Sequence, residues 1–477
     1  MPGIVIGICL CALFSAAGQA VASQYTADDL YRYQYYKLSN GLEVYLKPRS
    51  GAHNVSIRVA VHVGSYDFSC GRKETPHFLE HLMFTGTSRH SESELDALIE
   101  DNGGSWNAAT GGEKTIYEIN IYDRYALPAL TTLFEILTDS QFTEEEIGKT
   151  RAIVHREQGG HPGALRRWLY RQGIGRSAQD KADELIWPAN FNCQDLETAD
   201  AVTRSDILQA YEKYYIPNNM AVFVVGNFDR ERMLSQIRRD FGRLKPGHRP
   251  QDVDGDIPVP TRQRLTGTFS PILGTEAQIR LNYQIKGYRS ADVYPVILLN
   301  NYLSQRLFSE LRVKRGLAYG PASSLGLDRQ VGVIALTTDS GLGRIDEVES
   351  VLLDLVEKIR TTPIDQNELN RIRRRVLLAY AQGYEDNDSI AAHYASVWRR
   401  YEANGKLFDL EQELNKVSVK QFNNLMRSVL SPDRVVIAVS TPTISYHKMY
   451  MLVAVLVSML AAVGFWRFWR KYSNPVG

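Results

Sequence analysis

The two halves of the chain end in the same pattern, and this repeat constrains the fold more than any other feature. A segment that begins at Val202 and another that begins at Val417 align at a constant offset of 215 residues. Each contains an amphipathic stretch that predicts a helix, then a break at Pro217 or Pro432, then β-branched residues that predict a buried strand. A shared ending of this kind indicates a duplicated domain, although two generic helix–loop–strand segments can also match by chance.

The middle of the chain contains the clearest linker. Residues 243–263 are rich in proline, glycine and charge, and apolar periodicity stops there. We therefore predict a first domain at 26–242 and a second at 264–442. In the first half, a hairpin signal at Asn40-Gly41 is followed by strands and helices that do not strictly alternate. This mixture favours an α+β fold, built from two duplicated mixed α/β domains, over a doubly wound sheet.

Charge and composition exclude two classes of protein. Lys+Arg number 55 and Asp+Glu number 54, so no basic excess points to nucleic acid as a partner. Hydrophobic residues make up 44% of the chain, which is enough for sizeable cores and argues against a disordered protein.

The amino-terminal end has the pattern of an export signal. Residues 1–22 contain a short apolar run followed by small residues, Ala20 and Ala22, at the spacing of a cleavage site. No lysine or arginine precedes Arg32, so the usual basic start is missing. A cleaved signal peptide and a retained signal anchor are both compatible with this pattern.

The carboxyl-terminal end has the pattern of a membrane anchor. Residues 449–466 are apolar, and a helix of that length nearly crosses a hydrocarbon core of about 30 Å. The basic tail at 467–477 should stay cytoplasmic, with Trp466 and Trp469 at the interface. We predict a single-pass protein of a bacterial inner membrane, with the bulk of the chain in the periplasm. A buried C-terminal helix is the alternative.

Four cysteines occur in the chain. Cys9 and Cys11 fall within the predicted signal, which leaves Cys70 and Cys193. A disulfide between these two is possible, but their spacing alone does not decide it.

One short stretch, TPHFLEHL at 75–82, contains metal-binding chemistry. On a helix, His77, Glu80 and His81 share one face, where two imidazoles can hold a zinc ion and the carboxylate lies beside it. Such a carboxylate can act as general base and then as general acid in peptide hydrolysis. The alternative is a solvated surface helix, although the apolar neighbours Phe78 and Leu79 favour a helix seated on a core.

With its H-x-x-E-H order, the chain resembles the pitrilysin/insulinase family of zinc metallopeptidases, which includes mitochondrial processing peptidase. The resemblance covers about residues 30–440 and implies a fold of the processing-peptidase type. It also implies a third zinc ligand at Glu157, 76 residues after His81. His155 lies two positions before Glu157 on the same helix and faces another way, so we interpret it as solvated.

The sequence departs from the family pattern at two places. Thr150 stands where the resemblance implies a second glutamate, seven residues before Glu157. Glu74-Thr75-Pro76 stands where the family often has glycine, an apolar residue and alanine. The missing carboxylate resembles a group that supports a metal ligand, and such losses can reduce affinity or activity about 10–100-fold.

Two further segments match the family's substrate-binding residues. Asn107 and Ala108 match a strand that pairs with the peptide backbone, and Arg312 and Tyr319 match a pair that holds substrate and polarises the scissile carbonyl. By themselves, the first would be an ordinary glycine-rich hairpin and the second a solvated loop.

The second half lacks the metal motif. Matching Pro76 with Pro295 puts Val296, Leu299 and Asn300 at the metal positions. The resemblance implies two-chain assemblies that enclose a chamber, so a homodimer or a heterodimer with a related chain is expected. We predict a Zn²⁺-dependent, membrane-tethered endopeptidase for extended or unfolded peptides. The alternative is a non-catalytic peptide-binding or structural subunit.

Overall fold

The computed structural model describes residues 30–173, 175–193, 198–400, 407 and 409–473. The predicted signal peptide lies outside the described residues, as do Cys9, Cys11 and the last four residues of the predicted tail.

Strands in this part of the chain form one six-stranded and one five-stranded sheet. The strands are β1 Gln34–Lys37, β2 Glu43–Pro48, β3 Asn54–Val61, β4 Ser105–Thr110, β5 Thr115–Tyr122, β6 Met220–Gly226, β7 Gln263–Gly274, β8 Glu276–Lys286, β9 Ala322–Leu327, β10 Val331–Gly341 and β11 Val436–Ser445.

Helices pack on both sheets, and one long helix follows the last strand. They are α1 Thr75–Leu82, α2 Glu92–Glu100, α3 Ala126–Asp139, α4 Glu144–Glu157, α5 Ala164–Arg171, α6 Ala178–Ile186, α7 Arg204–Tyr214, α8 Arg230–Asp240, α9 Val293–Leu307, α10 Ile345–Thr361, α11 Gln366–Gly383, α12 Asn387–Val397, α13 Leu410–Lys416, α14 Val419–Val429 and α15 Tyr446–Ser473. A π-helical segment, Phe308–Lys314, continues α9.

The two sheets have the same topology. The first has the order β1-β2-β6-β3-β5-β4 and the second β7-β11-β8-β10-β9. If β1 is set aside, matching β2 through β6 with β7 through β11 gives identical orders. In both, the closing strand lies between the first two, parallel to one and antiparallel to the other. The predicted α+β fold with two duplicated halves is therefore confirmed, while the exact domain boundaries stay a prediction.

The repeated endings form the elements that their pattern indicates. Thr203 and Ser418 cap α7 and α14 by accepting backbone hydrogen bonds. Such caps satisfy N–H groups that have no partner within the helix. β6, which follows α7, is buried at every residue. It is central because it pairs on both edges, which explains why its sequence is a continuous apolar run.

One helix from each half packs on the sheet of the other half. Helix α6, from the first half, packs on the second sheet, and α12, from the second half, packs on the first. The contacts are apolar: Ala178, Ala182 and Ile186 with Val333, Val436 and Ala438, and Ile390, Ala391 and Tyr394 with Ala60, Ala221 and Phe223. Because each sheet buries one face against the other half, the halves stabilise one another.

Two features bear on where the chain resides. A disulfide joins Cys70 to Cys193, and such bonds persist in oxidising compartments outside the cytoplasm. Within α15, the stretch Tyr446–Arg470 is long and apolar enough to cross a membrane by length and composition. None of its most apolar window is buried within the described structure, so a buried C-terminal helix is not what forms here.

Candidate metal centre

Helix α1 presents the H-x-x-E-H motif from the edge of the first core. Phe78, Leu79 and Leu82 are fully buried and anchor the helix. Pro76 lies in its first turn, where a missing N–H breaks no helical hydrogen bond. With these residues facing the core, the helical period turns His77 and His81 together towards α4.

Two imidazoles and a carboxylate converge at this place. His77 Nε2 lies 3.1 Å from Glu157 Oε2, His81 Nε2 lies 3.5 Å from the same oxygen, and the two Nε2 atoms are 3.2 Å apart. Tetrahedral zinc with bonds of about 2.0–2.1 Å needs neighbouring ligand atoms roughly 3.3 Å apart. The three atoms already have that spacing, so this donor set fits a zinc ion.

The surroundings of His77 are strongly negative. Burial acts to lower the pKa of His77, but the hydrogen bond with Glu74 and the charges of Glu80, Glu74 and Glu157 outweigh it and raise the pKa. Three carboxylates around one imidazole form an environment that favours a positive charge at that place. A divalent metal would supply that positive charge without protonating the imidazole.

Glu80 lies beside the histidines and is only 9% exposed. One of its carboxylate oxygens and one ring nitrogen from each histidine all lie within 4.8 Å of one another. Tyr215 is close by, with its hydroxyl 2.6 Å from that of Tyr117. Burial is the main cause that raises the pKa of Tyr215, and the Glu80 charge adds to it, so this phenol stays protonated. No local sequence pattern indicates this tyrosine pair, because one tyrosine comes from β5 and the other from the end of α7.

Comparison with known proteins identifies the family. Residues 43–160 match the family described as Insulinase (Peptidase family M16), and residues 201–376 match the one described as Peptidase M16 inactive domain. The chain belongs to the M16 peptidase family. This confirms the resemblance to pitrilysin and insulinase that the motif indicated, and a peptidase is the activity that this membership supports.

Curated relatives of this M16 chain are named uncharacterized zinc proteases. One from Rickettsia felis is 27% identical over 380 residues, covering 76% of this chain and 87% of the relative. Another, YmxG from Bacillus subtilis, is 24% identical over 426 residues, covering 83% of this chain and 96% of the relative. The names of these relatives support Zn²⁺ as the metal that the donor set would hold.

Solved structures share the fold. A protease from Helicobacter pylori aligns with a TM-score of 0.72 at 20% identity, over 86% of this chain and 99% of that chain. The periplasmic protease PqqL from Escherichia coli aligns with a TM-score of 0.69 at 17% identity, over 86% of this chain and 45% of that chain.

The interpretation of His155 as solvated is wrong. Its side chain is buried, with Nε2 2.8 Å from one oxygen of Asp200, while His161 Nε2 lies 3.1 Å from the other oxygen. Among the described residues, His155 Nδ1 has no hydrogen-bond partner, which favours a proton on Nε2 donated to Asp200. His155 does face away from Glu157, but the segment around Asp200 covers that face of α4. Helical periodicity contains no information about such a distant segment.

The residues predicted to bind substrate lie in two places. Asn107 is exposed and Ala108 half-buried on β4, which is the edge strand of the first sheet. Arg312 lies 4.4 Å over the ring of Tyr319, whose side chain is 81% exposed. Arg312 also lies 5.1 Å over the ring of Phe308, and within the described chain no hydrogen bond, ion pair or ring contact joins this pair to the histidines. The structure thus brings together His77, Glu80, His81 and Glu157, and leaves the pair from the second half apart.

Proposed function

We propose that this M16 chain is a zinc-dependent endopeptidase that cuts extended or unfolded peptides. The observation that carries the proposal is the convergence of His77 Nε2, His81 Nε2 and Glu157 Oε2 at the mutual distances that tetrahedral zinc requires. Three protein ligands leave one coordination position for water, which is the arrangement of catalytic rather than structural zinc sites.

Each residue of the site has a distinct role in this proposal. When bound, zinc lowers the pKa of a coordinated water and polarises the scissile carbonyl. Glu80 takes the proton from the attacking water and later donates it to the leaving nitrogen. Its low exposure keeps bulk water away from that proton. Burial keeps the hydroxyls of Tyr117 and Tyr215 protonated, and they lie close enough for the Glu80 charge to raise the pKa of both as well.

The peptide would bind along β4. An edge strand has backbone N–H and C=O groups that pair with no other strand, and an extended peptide can add to such an edge. β4 pairs with β5 on one side only, and its residues Asn107 and Ala108 would line the added strand. Main-chain bonding of this kind selects for extended segments whose backbone N–H and C=O groups are not already paired.

We place the enzyme on the periplasmic side of a bacterial inner membrane, tethered by α15 as a single-pass anchor. The long apolar stretch in α15, the disulfide and the structural likeness to a periplasmic protease support this location. We also propose a dimer, with itself or a related chain, that encloses the site in a chamber. In that dimer, Arg312 and Tyr319 of one chain would act at the metal site of the other.

The test is Glu80→Gln, a change that removes the base and keeps the shape. We expect unchanged zinc content and peptide turnover reduced by about 10²–10⁴-fold, the range for loss of a general base. Glu144→Gln is the matched control, because Glu144 is exposed in the first turn of α4 and should leave turnover unchanged. Full turnover by the Glu80→Gln variant, in a preparation free of other proteases, would refute the role of Glu80.

A second candidate is a metal-binding subunit that holds peptides without cutting them. Thr150 favours it, because this buried hydroxyl stands where the family resemblance implies a carboxylate. The match of the second half to the inactive-domain description is compatible with it as well. Stoichiometric zinc with no turnover of any unfolded peptide by the wild-type chain would establish this candidate.

A further inference from the structure

The outer nitrogen of His77 is bonded to a carboxylate that the M16 pattern does not predict at that place. Glu74 Oε2 lies 3.1 Å from His77 Nδ1, while Nε2 of the same ring lies 3.1 Å from Glu157. The ring is therefore held at both ends. A proton on Nδ1, donated to Glu74, leaves the lone pair on Nε2 facing the cluster, which is the tautomer that a metal ligand needs.

Glu74 is itself held in place. Its side chain is 14% exposed, and the hydroxyl of Thr198 also hydrogen-bonds to it. The group is therefore a fixed acceptor rather than a mobile surface carboxylate.

The local sequence explains how the carboxylate reaches the ring. Glu74 is the residue at the start of α1, and its side chain makes no capping bond to the helix backbone. Instead, the three-residue spacing places it beside His77. Thr75 Oγ1 donates to the carbonyl of Arg72, 2.8 Å away, and fixes the turn that precedes the helix. The segment Glu74-Thr75-Pro76, which departs from the M16 pattern, thus builds a carboxylate onto the first histidine.

The opposite helix does not offer this support. Thr150 lies two turns before Glu157 on α4, is fully buried, and its Oγ1 has no hydrogen-bond partner in the part of the chain that the structure describes. The family resemblance implies a glutamate at this position. Two departures from one pattern therefore occur around one site: a carboxylate is absent from α4, and another is present at the start of α1.

We propose that Glu74 is a positioning residue for His77, and that in this chain the carboxylate that supports the metal ligands comes from the start of α1 instead of from α4. The inference rests on the proposed function, because it assigns Glu74 a purpose only if His77 binds zinc. It predicts that zinc affinity depends on a residue outside the H-x-x-E-H motif and outside the ligand set.

The experiment measures the zinc dissociation constant of the full chain by competition with a chromophoric chelator. Glu74→Gln should weaken zinc binding 10- to 100-fold, the effect of removing a carboxylate that orients a ligating histidine. Glu144→Gln makes the same chemical change on an exposed first turn and should bind zinc as the wild type does. At saturating zinc, Glu74→Gln should lower kcat and leave KM for a peptide unchanged, because β4 is untouched.

A second variant guards against simple damage to α1. Thr198→Val keeps the shape of a buried residue and removes only the hydroxyl that bonds to Glu74, so it should weaken zinc binding by a few-fold. Wild-type zinc affinity in Glu74→Gln would overturn the inference. So would a loss in Glu74→Gln accompanied by an equal rise in KM, with Thr198→Val unchanged.

The two proposals can fail separately. If Glu74→Gln binds zinc weakly while the wild type binds zinc but cuts no peptide, the positioning role stands and the peptidase proposal fails. If the wild type cuts peptides and Glu74→Gln keeps its zinc affinity, the peptidase proposal stands and the positioning role fails.

Discussion

The two halves of the molecule have one strand order, but only the first contains the H-x-x-E-H motif. Where α1 follows β3 in the first half, α9 follows β8 in the second. The residues of α9 matched to the metal positions are Val296 and Leu299, 1% and 0% exposed, and Asn300, which accepts a 2.6 Å hydrogen bond from Ser323 on β9. The residues at these positions of α9 therefore face the core of the second half, whereas the matching residues of α1 face α4.

This difference separates what the fold needs from what the site needs. Both sheets form from apolar strands, a capped helix and a central closing strand, and both halves keep these features. The metal centre needs a polar stripe on one helix, a carboxylate on another, and a support such as Glu74. Such a set can be lost from one copy without changing the sheet, because none of these residues holds the strands together.

The largest expected effect tests this asymmetry directly. His81→Ala should abolish zinc binding and peptide turnover, because it removes one of three ligand atoms that lie within about 3.5 Å of each other. Asn300→Ala, at the matched position of the second half, should leave both unchanged and cost about 1 kcal/mol of stability through its lost hydrogen bond. Zinc content and turnover of the two purified variants decide the comparison. Loss of zinc from Asn300→Ala would break it.

A smaller effect tests whether the second half serves the site of another chain. Tyr319→Phe removes a hydroxyl donor and should reduce kcat about 10²–10³-fold, the range for one donor to a developing oxyanion. If Tyr319 acts across a dimer, mixing this variant with Glu80→Gln should restore turnover, since one site of each mixed dimer then has both groups. Co-expressed, differently tagged chains allow the mixed dimer to be purified and assayed. Absence of recovery in that dimer would place both groups in one chain or remove Tyr319 from the reaction.

Local patterns in the sequence predicted the parts of the molecule that depend on near neighbours. The turn at Asn40-Gly41, the helix in each repeated ending and the shared face of His77 and His81 all follow from spacing within one element. A residue's nearest neighbours along the chain set these features, so they are visible without a fold. The prediction that Glu157, 76 residues after His81, completes the cluster follows from the family resemblance and not from helical periodicity.

Other features depend on distant segments and left no local signal. The prediction of a solvated His155 is wrong because the segment that contains Asp200 covers the ring. The sequence does not predict the exchange of α6 and α12 between halves, since their apolar faces do not indicate which sheet they cover. The proposed role of Glu74 is only partly visible in the sequence. Its three-residue spacing from His77 can be read there, but its hydrogen bond with the distant Thr198 cannot.

The junction of the halves provides a third contrast, between the partly buried Asp67 and the buried Asp328. Asp67 lies shortly after β3 and Asp328 directly after β9, and both feel the charges of Glu113 and Arg329. Burial is the main cause that raises the pKa of each to about 7. Their surroundings differ in one respect. Each carboxylate accepts one backbone N–H, Asp67 Oδ2 from Gly64 at 2.9 Å and Asp328 Oδ1 from Gln330 at 3.1 Å, but the second oxygen of Asp328, Oδ2, is buried and has no partner among the described residues.

Raised carboxylate pKa values should make stability fall as the pH rises. Between about pH 4 and 7 the folded chain holds these protons while the unfolded chain releases them, so stability is full below that window and is lost across it. Asp67→Asn removes the charge and keeps an acceptor for the N–H of Gly64. The variant should therefore lose less stability between pH 5.5 and 8 than the wild type does. The difference at pH 8 should reach at most roughly 4 kcal/mol, from about three pKa units.

At pH 8, Asp328→Asn should gain less stability over the wild type than Asp67→Asn does. The reason is that its amide would place N–H donors where no acceptor lies within the described structure. Urea unfolding midpoints at pH 5.5 and 8, measured for the wild type and both variants, give the comparison. An identical pH dependence in the wild type and Asp67→Asn would contradict the protonated carboxylate. A larger gain from Asp328→Asn would show that its surroundings can supply an acceptor, and the contrast between the two sites would then be reversed.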